Sequence, residues 1–66
     1  MLCMMNGKQI TVEAGTTLAA YLEETGLPAA GLVVERNGDI LSATEWSTTV
    51  LSQADRIEII SFVAGG

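Results

Sequence analysis

The sequence has no histidine, one cysteine (Cys3), one proline (Pro28) and only three basic residues, Lys8, Arg36 and Arg56. Each scarcity removes a class of protein. With one thiol and no imidazole, neither an internal disulfide nor a Cys/His zinc site can be assembled. A chain of 66 residues therefore lacks the staples that small domains often use. Cys3 sits in an apolar stretch with no neighbouring base, which fits a small core side chain better than a nucleophile. Met1, Met4 and Met5 read in the same way, as packing material and not as metal ligands. Three cations against eight carboxylates give a net charge of −5, which repels phosphates and speaks against nucleic acid as a ligand. No apolar run approaches a membrane span, and residues 1–5 are too short and lack the basic flank of a signal peptide. The expectation is a cytoplasmic protein, away from membranes, with its thiol reduced. There is no phosphate-cradling glycine loop and no carboxylate pair in an evident pocket, so the chain is expected to be no enzyme by itself and to bind no cofactor or metal.

What is present is a 48% hydrophobic composition, enough for one apolar core in a domain that buries only about 60% of its unfolded surface. Residues 1–5 are uniformly apolar, with Met1, Cys3 and Met5 on one face and Leu2 and Met4 on the other. Asn6-Gly7 comes next, the dipeptide that suits a type I′ hairpin because both central residues need positive φ. A second strand over residues 8–13 then returns, burying Ile10 and Val12. After Ala14-Gly15, a hydroxyl of Thr16-Thr17 caps a helix through Leu18, Tyr21 and Leu22, whose i, i+3, i+4 spacing makes a buried stripe. Gly26 ends it as a left-handed cap, with Leu27 and Pro28 beyond. Glu23 and Glu24 lie at the helix's negative end and read as solvated. A third strand over residues 32–36, a second Asn37-Gly38 turn and a short return strand from Asp39 come after the helix. In the irregular segment beyond them Trp46 anchors the core's edge, and a last strand covers residues 56–63. That strand alternates Ile57 and Ile59 on one face with Glu58, Ile60 and Phe62 on the other.

Hairpin, helix, hairpin, link and last strand fold most simply as an α+β roll: a mixed sheet of four to five strands with one main helix on one face. The first and last strands are expected to lie parallel at its centre, since a crossover through the helix allows that pair. Leu2, Met4, Ile60 and Phe62 would then meet on the outer face as an exposed apolar patch for a partner. The domain would span residues 1–63, with a flexible tail of Ala64, Gly65 and Gly66 after it. Glycines at an end are usually frayed, but they also thread channels closed to larger residues, and no other group offers chemistry. The Gly66 carboxylate is a poor electrophile, because attack on it would have to expel an oxide, so a partner must activate it.

Across nearly its whole length the chain resembles the ThiS family, the β-grasp sulfur carriers of thiamine biosynthesis, which are relatives of the molybdopterin-synthase small subunit and of ubiquitin. The resemblance rests on the opening strand to Asn6-Gly7, on Gly15-Thr16-Thr17-Leu18, on Val34-Glu35-Arg36-Asn37-Gly38 with Glu45-Trp46 after it, on Asp55-Arg56-Ile57-Glu58-Ile59, and on Phe62-Val63-Ala64-Gly65-Gly66. Two departures stand out: Ala64 where many members carry a third glycine, and Gln53-Ala54-Asp55 where Asp-Gly-Asp is usual. The resemblance implies a ubiquitin-like β-grasp fold. It implies that an E1-like adenylating enzyme uses ATP and Mg²⁺ on Gly66, that a cysteine desulfurase or other persulfide donor supplies sulfur, and that the resulting thiocarboxylate serves thiazole synthase. Ala64, Gly65 and Gly66 would enter the partner's active site. A sulfur carrier for molybdopterin or tungsten-cofactor synthesis and a ubiquitin-like binding module or modifier are the competing readings.

Overall fold

The computed structural model describes residues 1–62. The element order is β1 (Leu2–Met5), β2 (Lys8–Thr11), α1 (Leu18–Thr25), β3 (Leu32–Arg36), β4 (Asp39–Leu41), a 3₁₀ helix (Ala43–Thr48) and β5 (Arg56–Ser61). The strands form one sheet in the order β2-β1-β5-β3-β4. β1 and β5 run parallel at its centre, and the other pairs are antiparallel. This is the mixed sheet with one main helix expected of a β-grasp roll.

Local chemistry sets the boundaries. Asn6 and Gly7 take φ of 50° and 79°, and Asn37 and Gly38 take 52° and 90°, the left-handed pairs that a type I′ turn needs. The Thr17 hydroxyl accepts from the Ala20 N–H at 3.1 Å and caps α1, while Gly26, at φ 75°, closes it. Two of the expected strands are shorter than read. β2 stops at Thr11 and β5 at Ser61, although Val12 still donates its N–H to the Met1 carbonyl at 2.9 Å.

The core forms where α1 lies over the inner face of the sheet. Cys3, Met5, Val12, Leu18, Leu22, Val34, Trp46, Leu51 and Ile57 are buried together, with Ile10, Tyr21, Leu32 and Ile59 packed half-buried around them. Cys3 is a core side chain whose thiol donates to the Ser52 carbonyl at 3.3 Å. The link after β4 is tied in by backbone: Leu18 N–H to Thr49 C=O at 2.8 Å and Leu51 N–H to Thr16 C=O at 2.9 Å. Trp46 is buried among the core residues, and its Nε1 has no hydrogen-bond partner among the described residues. No helix among the described residues is long and apolar enough to cross a membrane.

The outer face departs from expectation. β1 and β5 are in register only at Met4↔Arg56 and Met5↔Ile57. Ile60 lies four residues beyond Arg56, so Met4 and Ile60 are separated by about 13 Å along the strands, and Leu2 lies farther still. The expected convergence of Leu2 and Met4 with Ile60 and Phe62 therefore does not occur. The reason is length: β1 turns away at Asn6 while β5 continues against β3 alone.

Candidate functional site

β5 carries the chain toward its C-terminal residues, so the groups that hold it define the site. At its start stands Asp55, 5% exposed. It accepts from the Ser52 N–H at 2.7 Å, from Asn37 Nδ2 at 3.0 Å and from Arg36 Nε at 3.0 Å, and it forms an ion pair with Arg36. Burial, the largest single influence, pushes its carboxyl up. The donors from Asn37, Ser52 and Arg36, with the guanidinium charge, outweigh burial and leave it below its ordinary value. Asn37 also accepts from the Arg56 N–H at 2.9 Å, so the second hairpin turn grips the first residue of the strand. Glu45, the acidic residue of the Glu45-Trp46 pair, accepts from the hydroxyl and N–H of Ser42 at 2.8 and 3.1 Å, which lowers its pKa and closes the start of the 3₁₀ helix.

At its far end β5 is paired to β3 through Leu32↔Ser61, and Phe62 N–H reaches the Gly31 carbonyl at 2.7 Å. Ile57 is fully buried, Ile59 half-buried, and Ile60 and Phe62 are 42% and 66% exposed. The face assignment along this strand thus holds as read.

On the outer face Ile60 is directly opposite Val33, and Glu58 is opposite Glu35, which is in turn opposite Ile40. Ile40 is 69% exposed. The surface beside the end of β5 is therefore Val33, Ile40, Ile60 and Phe62 around a Glu35–Glu58 cross-strand pair. Opposed like charges on one face of a sheet are destabilising, and apolar side chains exposed beside them gain nothing from water. Leu2 and Met4 lie elsewhere on that face, around a shallow hollow shared with Gln9, Gln53, Ala54 and Arg56.

Val33 and Ile40 escaped the sequence reading. The run Leu32-Val33-Val34 carried the signal, since three consecutive apolar residues in a strand must put one of them on the outer face. Ala64, Gly65 and Gly66, the residues expected to enter a partner, lie outside the described residues, as does Val63.

Comparison with known proteins gives this geometry a family. Residues 3–66 match the ThiS family. The fold superimposes with a TM-score of 0.83 on the crystal structure of a thiamine biosynthesis protein (ThiS) from Geobacter metallireducens, at 28% identity and with the whole of both chains covered. The solution structure of a thiamine biosynthesis protein from the same organism gives 0.79, also at 28% identity, covering all of this chain and 88% of the other. Among curated proteins, a thiazole synthase of Magnetococcus marinus is 37% identical over 94% of this chain. One from Paramagnetospirillum magneticum is 30% identical over all of it. The chain spans 19% and 20% of the length of those two enzymes. With the family matched across nearly every residue and the same β-grasp sheet in its solved members, the chain belongs to the ThiS family.

Proposed function

We propose that this chain is a sulfur carrier for thiazole formation in thiamine biosynthesis, and that its working group is the Gly66 carboxylate. In this reading an E1-like enzyme, supplied with ATP and Mg²⁺, lets the carboxylate attack the α-phosphate of ATP. Pyrophosphate leaves and an acyl-adenylate forms. A persulfide sulfur, delivered by a cysteine desulfurase or equivalent donor, then attacks the acyl carbon and expels AMP. A thiol cleaves the resulting acyl disulfide, leaving a thiocarboxylate on Gly66. Thiazole synthase is the acceptor of that sulfur.

The observation that carries this reading is the family match running to residue 66, through Ala64-Gly65-Gly66. The relatives named thiazole synthase, in which a segment like this chain makes up about a fifth of the protein, support that enzyme as the acceptor. The face of Val33, Ile40, Ile60 and Phe62, with Glu35 and Glu58 among them, suits docking to a partner that offers apolar contacts and a cation. An exposed apolar patch is a common interaction surface, and a basic group between the two carboxylates would relieve their repulsion.

The test is ATP–pyrophosphate exchange by the adenylating enzyme in the presence of this chain. The reading expects exchange that depends on the chain and disappears when Gly65 and Gly66 are removed. Exchange that persists without those residues would contradict it. Transfer of sulfur to a thiazole product by thiazole synthase, and not to a molybdopterin precursor by molybdopterin synthase, assigns the pathway.

A further inference from the structure

The edge of β5 that faces β1 is held farther along than β1 itself reaches. The ladder between them ends at Met5↔Ile57, because the chain leaves the sheet through Asn6-Gly7. From there the Asn6 residue takes over. Its own N–H donates to the Ile57 carbonyl at 2.9 Å. Its side-chain Oδ1 accepts from the Ile59 N–H at 2.7 Å, and its Nδ2 donates to the Ile59 carbonyl at 3.3 Å. A carboxamide offers one acceptor and donors from a single planar group, as a peptide unit does. The Asn6 side chain thus stands where the next residue of β1 would have paired. The turn itself does not require this, since Gly-Gly also satisfies a type I′ turn.

We infer that Asn6 is a positioning residue for the C-terminal segment. By closing the second edge of β5 at Ile59, it fixes the direction in which the strand leaves the sheet toward Gly66. The inference rests on the proposed role of Gly66. Past Ile57 the strand is otherwise paired on one side only, by β3, and a strand held along one edge can swing about it. The apparent affinity of a partner that needs one exit direction falls in proportion to the fraction of molecules presenting it.

Two variants separate this role from the turn. Asn6→Gly keeps a residue suited to φ 50° and removes the carboxamide, whereas Asn6→Asp retains an acceptor for the Ile59 N–H and loses the donor. Amide hydrogen exchange at Ile59 and Ser61 is measured alongside KM and kcat for chain-dependent adenylation, with urea unfolding to account for global stability. For Asn6→Gly the expected result is roughly tenfold faster exchange at Ile59 beyond any global change, with KM raised roughly threefold or more and kcat unchanged. Asn6→Asp should lie between that variant and the wild type. Unchanged exchange at Ile59, or faster exchange with unchanged KM, overturns the inference, as does a loss confined to kcat. Failure of the wild-type chain to be adenylated would instead overturn the proposed function, and the two failures are read from different samples.

Discussion

At the scale of single residues, the turn before β5 shows where the backbone holds strain and what that costs. The Asp55 N–H donates to the Ser52 carbonyl at 3.0 Å, closing a four-residue turn, and Ala54 in its third position has φ 69°. That is the left-handed region a type II turn demands there, and glycine is its natural occupant. The sequence shows only an alanine between Gln53 and Asp55; the strain is visible in the backbone of the folded turn. Ala54→Gly should therefore stabilise the protein by about 0.5–1 kcal/mol, because relief of the left-handed alanine exceeds the added entropy of the unfolded glycine. A rise in the urea midpoint with an unchanged slope checks it. Asp55 makes the opposite kind of prediction. Its folded pKa lies below its ordinary value of 3.8, so its stabilising contribution is present above that value and is lost as pH falls through the folded pKa. Asp55→Asn should cost about 1.5–3 kcal/mol at neutral pH and remove most of this part of the acid-side loss. Chemical denaturation at several pH values between neutral and acid would show a flatter acid limb in the variant.

At the scale of elements, the strands, the helix and both turns were legible because their signals are local. Asn-Gly dipeptides, a hydroxyl cap, a glycine stop and two-residue alternation each fix a segment without reference to the rest. What was not legible was register. Leu2, Met4, Ile60 and Phe62 do share one face, but the offset between β1 and β5 depends on where β1 turns relative to a strand about fifty residues later, and alternation alone is blind to a shift of two or four residues along a strand. The grip of Asn6 and Asn37 on β5 was hidden for the same reason, since turn chemistry alone explains both residues. The face that does form leads to two expectations. Phe62→Asp should change stability by less than about 0.5 kcal/mol, as befits an exposed position, while weakening the adenylating partner's binding by at least about 1 kcal/mol. Calorimetric titration and thermal unfolding of the same variant measure both. Glu58→Lys should raise the stability of the free chain by a few tenths of a kcal/mol, by replacing an opposed like-charge pair with an attractive one. The same change should lower partner affinity, most clearly at low salt. A variant that gains stability and binds as well as the parent would show that the carboxylates have no part in docking.

At the scale of the whole molecule, the two halves of the chain, each a hairpin opened by Asn-Gly, meet at β5, the strand that leads to residues 63–66. Burial is concentrated on one face of the sheet, and on the outer face Ile60 and Phe62 stay exposed near the end of that strand, with Leu2 exposed apart from them. The division suits a carrier: a small scaffold holds one strand firmly, and reactivity is assigned to the residues beyond that strand. Gly66→Ala accordingly should leave the free energy of unfolding unchanged within about 0.5 kcal/mol, yet impair adenylation if the proposed partner admits the tail through a channel too narrow for a side chain. The central claim, that Gly66 becomes a thiocarboxylate, is tested most directly by the intact mass of the protein after incubation with its adenylating enzyme, ATP and a persulfide source. A new species whose mass differs by exchange of one oxygen for one sulfur, with the change located at Gly66 by fragmentation, is the predicted result. An unchanged mass in the presence of an enzyme proven active on another carrier would contradict it.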